Sequence, residues 1–105
     1  MSELIKLNKE NGILSINLNR LDKKNALTAA MYSELAEIFN QQVSDVSDIS
    51  AVIITGGTDF TAGNDLADFL DNPPTASDAP VFEFMRALSN CPVPVIAAVD
   101  GVAVG

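Results

Sequence analysis

Apolar and polar positions alternate with a period of two over Ile13-Leu14-Ser15-Ile16-Asn17-Leu18, so Leu14, Ile16 and Leu18 share one face of a strand. A shorter apolar stretch at residues 4–7 precedes it, and Asn11-Gly12 between the two predicts a hairpin. The period then changes. Leu27, Met31, Leu35, Ile38, Phe39 and Val43 recur at helical spacing with Thr28 in an N-cap position, which predicts a helix over about 28–42. A polar break at 44–50 leads into an apolar run at 51–55, read as a buried strand, and Gly56-Gly57-Thr58-Asp59 is a loop by composition. Another helix is expected from near residue 64. Asn72-Pro73-Pro74-Thr75-Ala76-Ser77-Asp78 opposes both helix and strand. Pro80 suits the first turn of a helix whose apolar stripe is Val81, Phe84, Met85 and Leu88, ended by Asn90-Cys91-Pro92, and residues 93–99 are expected to form a final buried strand. Strands separated by helices predict an α/β fold with parallel pairing and right-handed crossovers, opened by one antiparallel element.

Composition narrows the class of partner. A chain of 105 residues is one domain at most, with roughly 60 to 68% of its unfolded surface buried, and no second domain or internal repeat is expected. Its 48% apolar and 19% charged content fits a globular chain. A formal charge of −8 opposes attraction to nucleic acid or anionic membrane surfaces, so neither is expected as a partner. From Asp59 to Glu83 there are six acids and no base, so an anionic ligand must be met there by backbone donors, or by Lys23 and Lys24 from elsewhere in the chain. The single Cys91 forms no internal disulfide and is read as a packing residue; with no histidine in these 105 residues, neither a Cys/His pair nor a His-based metal site is expected. The N-terminus lacks a basic segment followed by an apolar one, and the longest apolar stretch, 92–99, is far short of the ~20 residues that span a bilayer. The expectation is a cytoplasmic protein.

Three places invite chemistry. Gly56-Gly57 follows a strand but lacks the third glycine and the immediate helix of a dinucleotide loop. Asp65 and Asp68 lie three apart and would share a helix face, suited either to acid and base work or to capping the helix N-terminus; capping is the preferred reading. In Ala62-Gly63-Asn64-Asp65, Gly63 permits close approach, Ala62 leaves space, and amides at the start of a following helix can hold an anion. Such a turn suits the oxygen of an activated thioester. It equally suits a plain strand-to-helix turn that needs glycine, and local chemistry leaves both open.

Three ordered motifs decide between them: Asn19-Arg20-Leu21-Asp22-Lys23-Lys24-Asn25-Ala26-Leu27, Phe60-Thr61-Ala62-Gly63-Asn64-Asp65-Leu66, and Pro94-Val95-Ile96-Ala97-Ala98-Val99-Asp100-Gly101-Val102-Ala103-Val104-Gly105. In order and separation they resemble the crotonase family, which includes enoyl-CoA hydratases and isomerases. The resemblance spans essentially the whole chain and implies a superhelix of strand-strand-helix units, a homotrimer or hexamer, and an acyl-CoA or enoyl-CoA substrate. It implies no separate cofactor, CoA being part of the substrate. It also implies that the backbone near Ala26 meets the CoA adenine, with Lys24 favouring the phosphates. The Asn64 N–H is then the first oxyanion donor, and Ala62, Gly63, Asp65 and Leu66 shape the thioester and pantetheine path. Met85 and Leu88 are candidates for the acyl pocket beside their simpler role in the core.

In the family a glycine-rich segment runs past the position of Gly105, the second oxyanion amide comes from just beyond it, and the acid/base carboxylates lie further on. The expectation is therefore an N-terminal portion of a crotonase-like domain, inactive by itself, with Gly105 at the edge of the substrate site. Hydration and double-bond isomerisation both remain open as the parent chemistry. A non-catalytic CoA-binding or oligomer-forming domain is the alternative.

Overall fold

The strand patterns come together as one four-stranded sheet in the order β1-β2-β3-β4. This computed structural model describes residues 4–43, 47–75 and 79–104; residues 44–46 of the polar break, 76–78 of the proline-containing loop, and Gly105 lie outside the described residues. Strand β1 (Ile5–Glu10) runs antiparallel to β2 (Ile13–Leu18). Asn11 and Gly12 join them with φ of 53° and 80°, the doubly positive pair of a two-residue hairpin turn that follows the strand twist. β1 continues three residues past its apolar stretch, because pairing of Lys9 with Leu14 and of Glu10 with Ile13 carries it on.

Helix α1 (Ala29–Gln42) begins where the sequence predicts, with Thr28 Oγ1 accepting the Met31 N–H at 3.2 Å. The parallel strands β3 (Ala51–Thr55) and β4 (Val95–Ala98) extend the sheet, and their register sets Leu14 against Val52, Ile16 against Ile54, Val52 against Val95, and Ile54 against Ala97. Period-two geometry puts all of these on the face that carries Leu18. That face and the α1 residues Met31, Leu35, Ile38 and Phe39 form the core. Burial of each large aliphatic there contributes about 1.5–3 kcal/mol.

Helix α3 (Pro80–Ser89) packs beside α1, its Phe84 ring 5.7 Å from Tyr32 and 6.2 Å from Phe39. The predicted stripe is only partly buried. Ala87 is the buried residue of α3, Val81 and Phe84 are half-buried, and Met85 and Leu88 are exposed. The turn of helix holding Phe84 and Ala87 faces the core, which leaves Met85 on the opposite flank. Helix α2 (Leu66–Asp71) is short and starts at 66 rather than near 64 because Asp65 is its cap. A 3-10 turn (Leu21–Lys23) lies in the connection between β2 and α1.

Two strand readings are corrected. In β3 only Val52 is fully buried, the other four residues being half-buried. The last strand covers 95–98 rather than 93–99 and is not buried: Val95 is half-buried, Ala97 and Ala98 are exposed, and Ile96 is 51% exposed. Among the described residues β4 pairs with β3 alone, and an apolar run by itself cannot report whether a strand's faces are covered. Among the described residues no helix is long and apolar enough to cross a membrane.

The β3 exit loop folds tightly. A Cβ placed on Gly56 would lie 2.1 Å from the Asp59 carbonyl oxygen and 2.5 Å from that of Phe60. Both obstacles are backbone, so Gly56→Ala is expected to lower stability by about 3 kcal/mol or more. Urea unfolding of the intact protein measures this, and a loss below about 1 kcal/mol would show that the loop adjusts freely.

Candidate active site

Asn25, which the motif reading passed over, organises the site. It is fully buried with φ 57°, a left-handed conformation that Asn accepts more readily than most residues. Its Oδ1 accepts the Arg20 N–H at 2.6 Å, and its Nδ2 donates to the carbonyls of Gly56 at 2.8 Å and Asp59 at 2.7 Å. Its own carbonyl accepts from Thr61 Oγ1 at 2.7 Å. The sequence signal that could have found it is an Asn in a polar loop directly before an apolar-periodic helix, at a position needing αL geometry.

Around Asn25, residues 24–27 and 61–65 run side by side. Ala62 N–H donates to Lys24 at 2.9 Å, Leu27 N–H to Gly63 at 2.8 Å, and Asp65 N–H to Leu27 at 2.9 Å, while Thr61 Oγ1 accepts the Gly63 N–H at 3.1 Å. On the other side, Phe60 and Thr61 N–H donate to Val102, Val104 N–H donates to Thr61, and Val102 N–H donates to Asp59 Oδ1. The three sequence motifs are thus brought into one site. Gly63 has φ 88°, a left-handed conformation that favours glycine, while a Cβ there would make ordinary contact with Val104 at 3.4 Å.

This ladder aims the Asn64 amide. The Gly63 carbonyl and the Asn64 N–H belong to one trans peptide plane, so with the carbonyl turned to Leu27 the N–H points the opposite way. Among the described residues it meets no acceptor. The aim comes from a bridge between Leu27 and Asn64, two residues before α2, rather than from the helix start that the sequence suggested. The Asn64 side chain also has a partner, since the Tyr32 hydroxyl donates to its Oδ1. Burial pushes the Tyr32 phenol above its ordinary range. Tyr32, Asn64, Leu27, Phe69 and Val81 border a small cleft of about 40 Å³.

Asp65 and Asp68 serve the backbone. Asp65 Oδ1 accepts the Asp68 N–H at 2.9 Å as the α2 cap, and its Oδ2 pairs with Arg20 Nη1 at 2.8 Å. Asp68 Oδ2 accepts the Ala29 N–H at 2.7 Å, steadying the first turn of α1. The Asp68 N–H, and after it the Arg20 guanidinium, hold the Asp65 carboxyl below the usual carboxylate range. The remaining candidates lie along the same paired segments but differ in exposure. Lys24 and Leu66 are exposed, Ala62 is half-buried, and Ala26 has its N–H on Lys23 at 3.0 Å and its carbonyl on Arg20 Nη1 at 2.9 Å. Gly105 lies outside the described residues.

A larger apolar cavity of about 570 Å³ opens between α1, α3 and the sheet, lined by Leu27, Leu35, Ile54, Phe84, Leu88 and Cys91 among others. Leu27 is common to this cavity and the Asn64 cleft; Leu88 lines the cavity and Met85 does not. Half-buried Cys91 sits in its wall, as a packing residue would. Among the described residues, no three Cys, Asp or Glu side chains are grouped to hold a metal ion.

A family profile described as Enoyl-CoA hydratase/isomerase matches residues 8–105. The chain is 37% identical to the mitochondrial Delta(3,5)-Delta(2,4)-dienoyl-CoA isomerase of Rattus norvegicus, over 89% of this chain and 33% of that protein. It is 36% identical to the 1,2-epoxyphenylacetyl-CoA isomerase of Escherichia coli (strain K12), over 100% of this chain and 43% of that protein. Among solved structures, OdaA of Pseudomonas aeruginosa matches with a TM-score of 0.87 and 52% identity, over 95% of this chain and 40% of that one. The chain therefore spans well under half the length of each of these relatives.

The depressed Asp65 carboxyl sets a pH dependence. Its ionised form is favoured by the fold, so the stabilisation is fully present above the ordinary carboxylate value near ~3.9 and is lost as pH falls through the lower folded value. Asp65→Asn keeps a capping oxygen but removes the ion pair. The variant should melt below the unaltered protein at pH 7, with the gap closing as the pH falls below that range; a gap independent of pH would remove Asp65 ionisation from the account.

Proposed function

The chain belongs to the enoyl-CoA hydratase/isomerase family and carries part of the crotonase fold, and from that premise we propose that it acts on acyl-CoA thioesters by stabilising a thioester enolate with the Asn64 main-chain N–H. The observation that carries this reading is the aimed amide: its peptide plane is held through Leu27, and the N–H has no acceptor among the described residues. When a base removes the proton beside the thioester carbonyl, or water adds to the conjugated double bond, the electron pair moves toward that oxygen. A pre-aimed N–H then binds the developing charge without reorganising. The apolar cavity that shares Leu27 with the Asn64 cleft suits an acyl chain.

The rest of the assignment follows the family pattern. Ala62, Gly63, Asp65 and Leu66 border the thioester and pantetheine path, with Asp65 acting through its backbone and its ion pair rather than as an acid or base. Lys24 is an exposed cation available to CoA phosphates, and the Ala26 carbonyl, which already accepts from Arg20, keeps a second lone pair for the adenine. The second oxyanion amide and the acid/base carboxylates belong to segments that follow Gly105 in the family, and assembly as a trimer or hexamer belongs to the same reading. A polypeptide of residues 1–105 alone is accordingly expected to show no conversion of a short enoyl-CoA in a spectrophotometric assay. Measurable turnover by that polypeptide would refute the placement of the missing groups.

Substitution at 64 in the intact protein tests the amide itself. Asn64→Pro removes the N–H and is expected to lower kcat on the order of 10² to 10³, the usual consequence of losing one oxyanion donor. Asn64→Ala loses only the exposed contact with the Tyr32 hydroxyl and should stay within about tenfold of the unaltered enzyme. Melting temperature and CoA affinity, measured alongside, identify a proline variant that is merely misfolded. Equal loss of kcat in folded Ala and Pro variants would transfer the role to the side chain, and CoA binding without any turnover in the intact protein would favour the non-catalytic reading.

A further inference from the structure

We infer that Arg20 is a positioning residue for the oxyanion amide, aiming and polarising the Asn64 N–H through two intervening peptide groups. The inference rests on the reading of Asn64 as an oxyanion donor. Arg20 Nη1 donates to the Ala26 carbonyl at 2.9 Å. The other end of that same peptide unit is the Leu27 N–H, which donates to the Gly63 carbonyl at 2.8 Å. The other end of the Gly63 peptide unit is the Asn64 N–H. Both units are trans, so each carbonyl and the N–H that follows it point in opposite directions. Guanidinium, first peptide, second peptide and substrate oxygen therefore form one head-to-tail chain, with every carbonyl turned toward the cation and every N–H turned toward the developing anion.

Such a chain acts in two ways. It fixes direction, because rotation of the 63–64 plane must break the Leu27 bond, and rotation of the 26–27 plane must break the Arg20 bond. It also strengthens the last donor, since hydrogen-bonded amides polarise one another and a charge at the head favours the same orientation throughout. Arg20 is itself held at several points. Its N–H donates to Asn25 Oδ1 at 2.6 Å, its carbonyl accepts the Asn25 N–H at 2.8 Å, and its guanidinium pairs with Asp65, the residue after Asn64. Both side chains of that pair are shielded, at 17% and 16% exposure, so solvent screens the arrangement little. The contacts with the Ala26 carbonyl and the Asp65 carboxylate are both made by the one nitrogen Nη1, whose two N–H bonds have fixed directions in the guanidinium plane; a lysine ammonium supplies the charge without that fixed geometry.

The test uses the intact protein and a non-reactive saturated thioester, butyryl-CoA labelled with ¹³C at the carbonyl. Infrared difference spectra should show the labelled stretch moving to lower wavenumber on binding to the unaltered protein, and Asn64→Pro should cut that displacement to the part produced by the second oxyanion amide. Arg20→Met is expected to reduce the displacement and to lower kcat by about 10- to 100-fold, with CoA affinity retained. Arg20→Lys should fall between the two, and it carries the test should Arg20→Met not fold. An Arg20 variant that folds and retains both the full displacement and kcat within a factor of about two, well inside the effect of misplacing a reacting group, overturns the positioning role while leaving Asn64 as the donor. If the unaltered protein shows no displacement, or Asn64→Pro leaves it unchanged, the oxyanion reading fails and this inference fails with it.

Discussion

The buried Asn25 amide is the interaction on which the rest of the site depends. Its side chain engages Arg20, Gly56 and Asp59 while its carbonyl receives Thr61, so one residue joins the loop before α1 to the loop leaving β3. An unpaired amide at that depth would cost about 1–3 kcal/mol per lost partner, which holds the two loops in a single register. From that register follow the bond between Leu27 and Gly63 and the direction of the Asn64 N–H. The direction of the Asn64 amide is thus a consequence of packing polar backbone around the buried Asn25 side chain.

That arrangement also resolves a conflict in the charge distribution. The chain carries a net charge of −8, and the stretch around Asn64 is rich in acids, which is a poor setting for the anion-binding role proposed for that amide. Asp65 and Asp68 are turned to other uses: one caps α2 and pairs with Arg20, and the other accepts the Ala29 N–H. Their oxygens face donors of the scaffold. The Asn64 N–H, which meets no acceptor among the described residues, has the sign that the proposed enolate oxygen requires.

The apolar side of the site is built by the α1 and α3 packing. Phe84 touches both Tyr32 and Phe39, and the 570 Å³ cavity beneath α3 meets the Asn64 cleft at Leu27. Tyr32 links the two environments, its ring against Phe84 and its hydroxyl on the Asn64 side chain. A polar donor beside an apolar hollow is the combination that the proposed thioester with a hydrocarbon tail requires.

The element order and most boundaries were legible in the sequence because they depend on local periodicity: the Leu14-Ile16-Leu18 alternation, the Met31-Leu35-Ile38 spacing, the Thr28 cap and the Pro80 start all reappear in the structure. The three motifs also pointed to the family, and the family profile covers residues 8–105. Burial of residues 93–99 was misread, since an apolar strand looks the same whether one face is covered or two. Asn25 was not legible as the organiser of the site, nor was the Tyr32 contact with Asn64, because each depends on partners 31 to 36 residues away. By itself the sequence determined which segments become strands and helices, through side-chain period and capping chemistry acting over a few residues. Only the tertiary structure decided where the Asn64 N–H points, because that direction is set by hydrogen bonds to a peptide plane distant in the chain, and no local pattern encodes it.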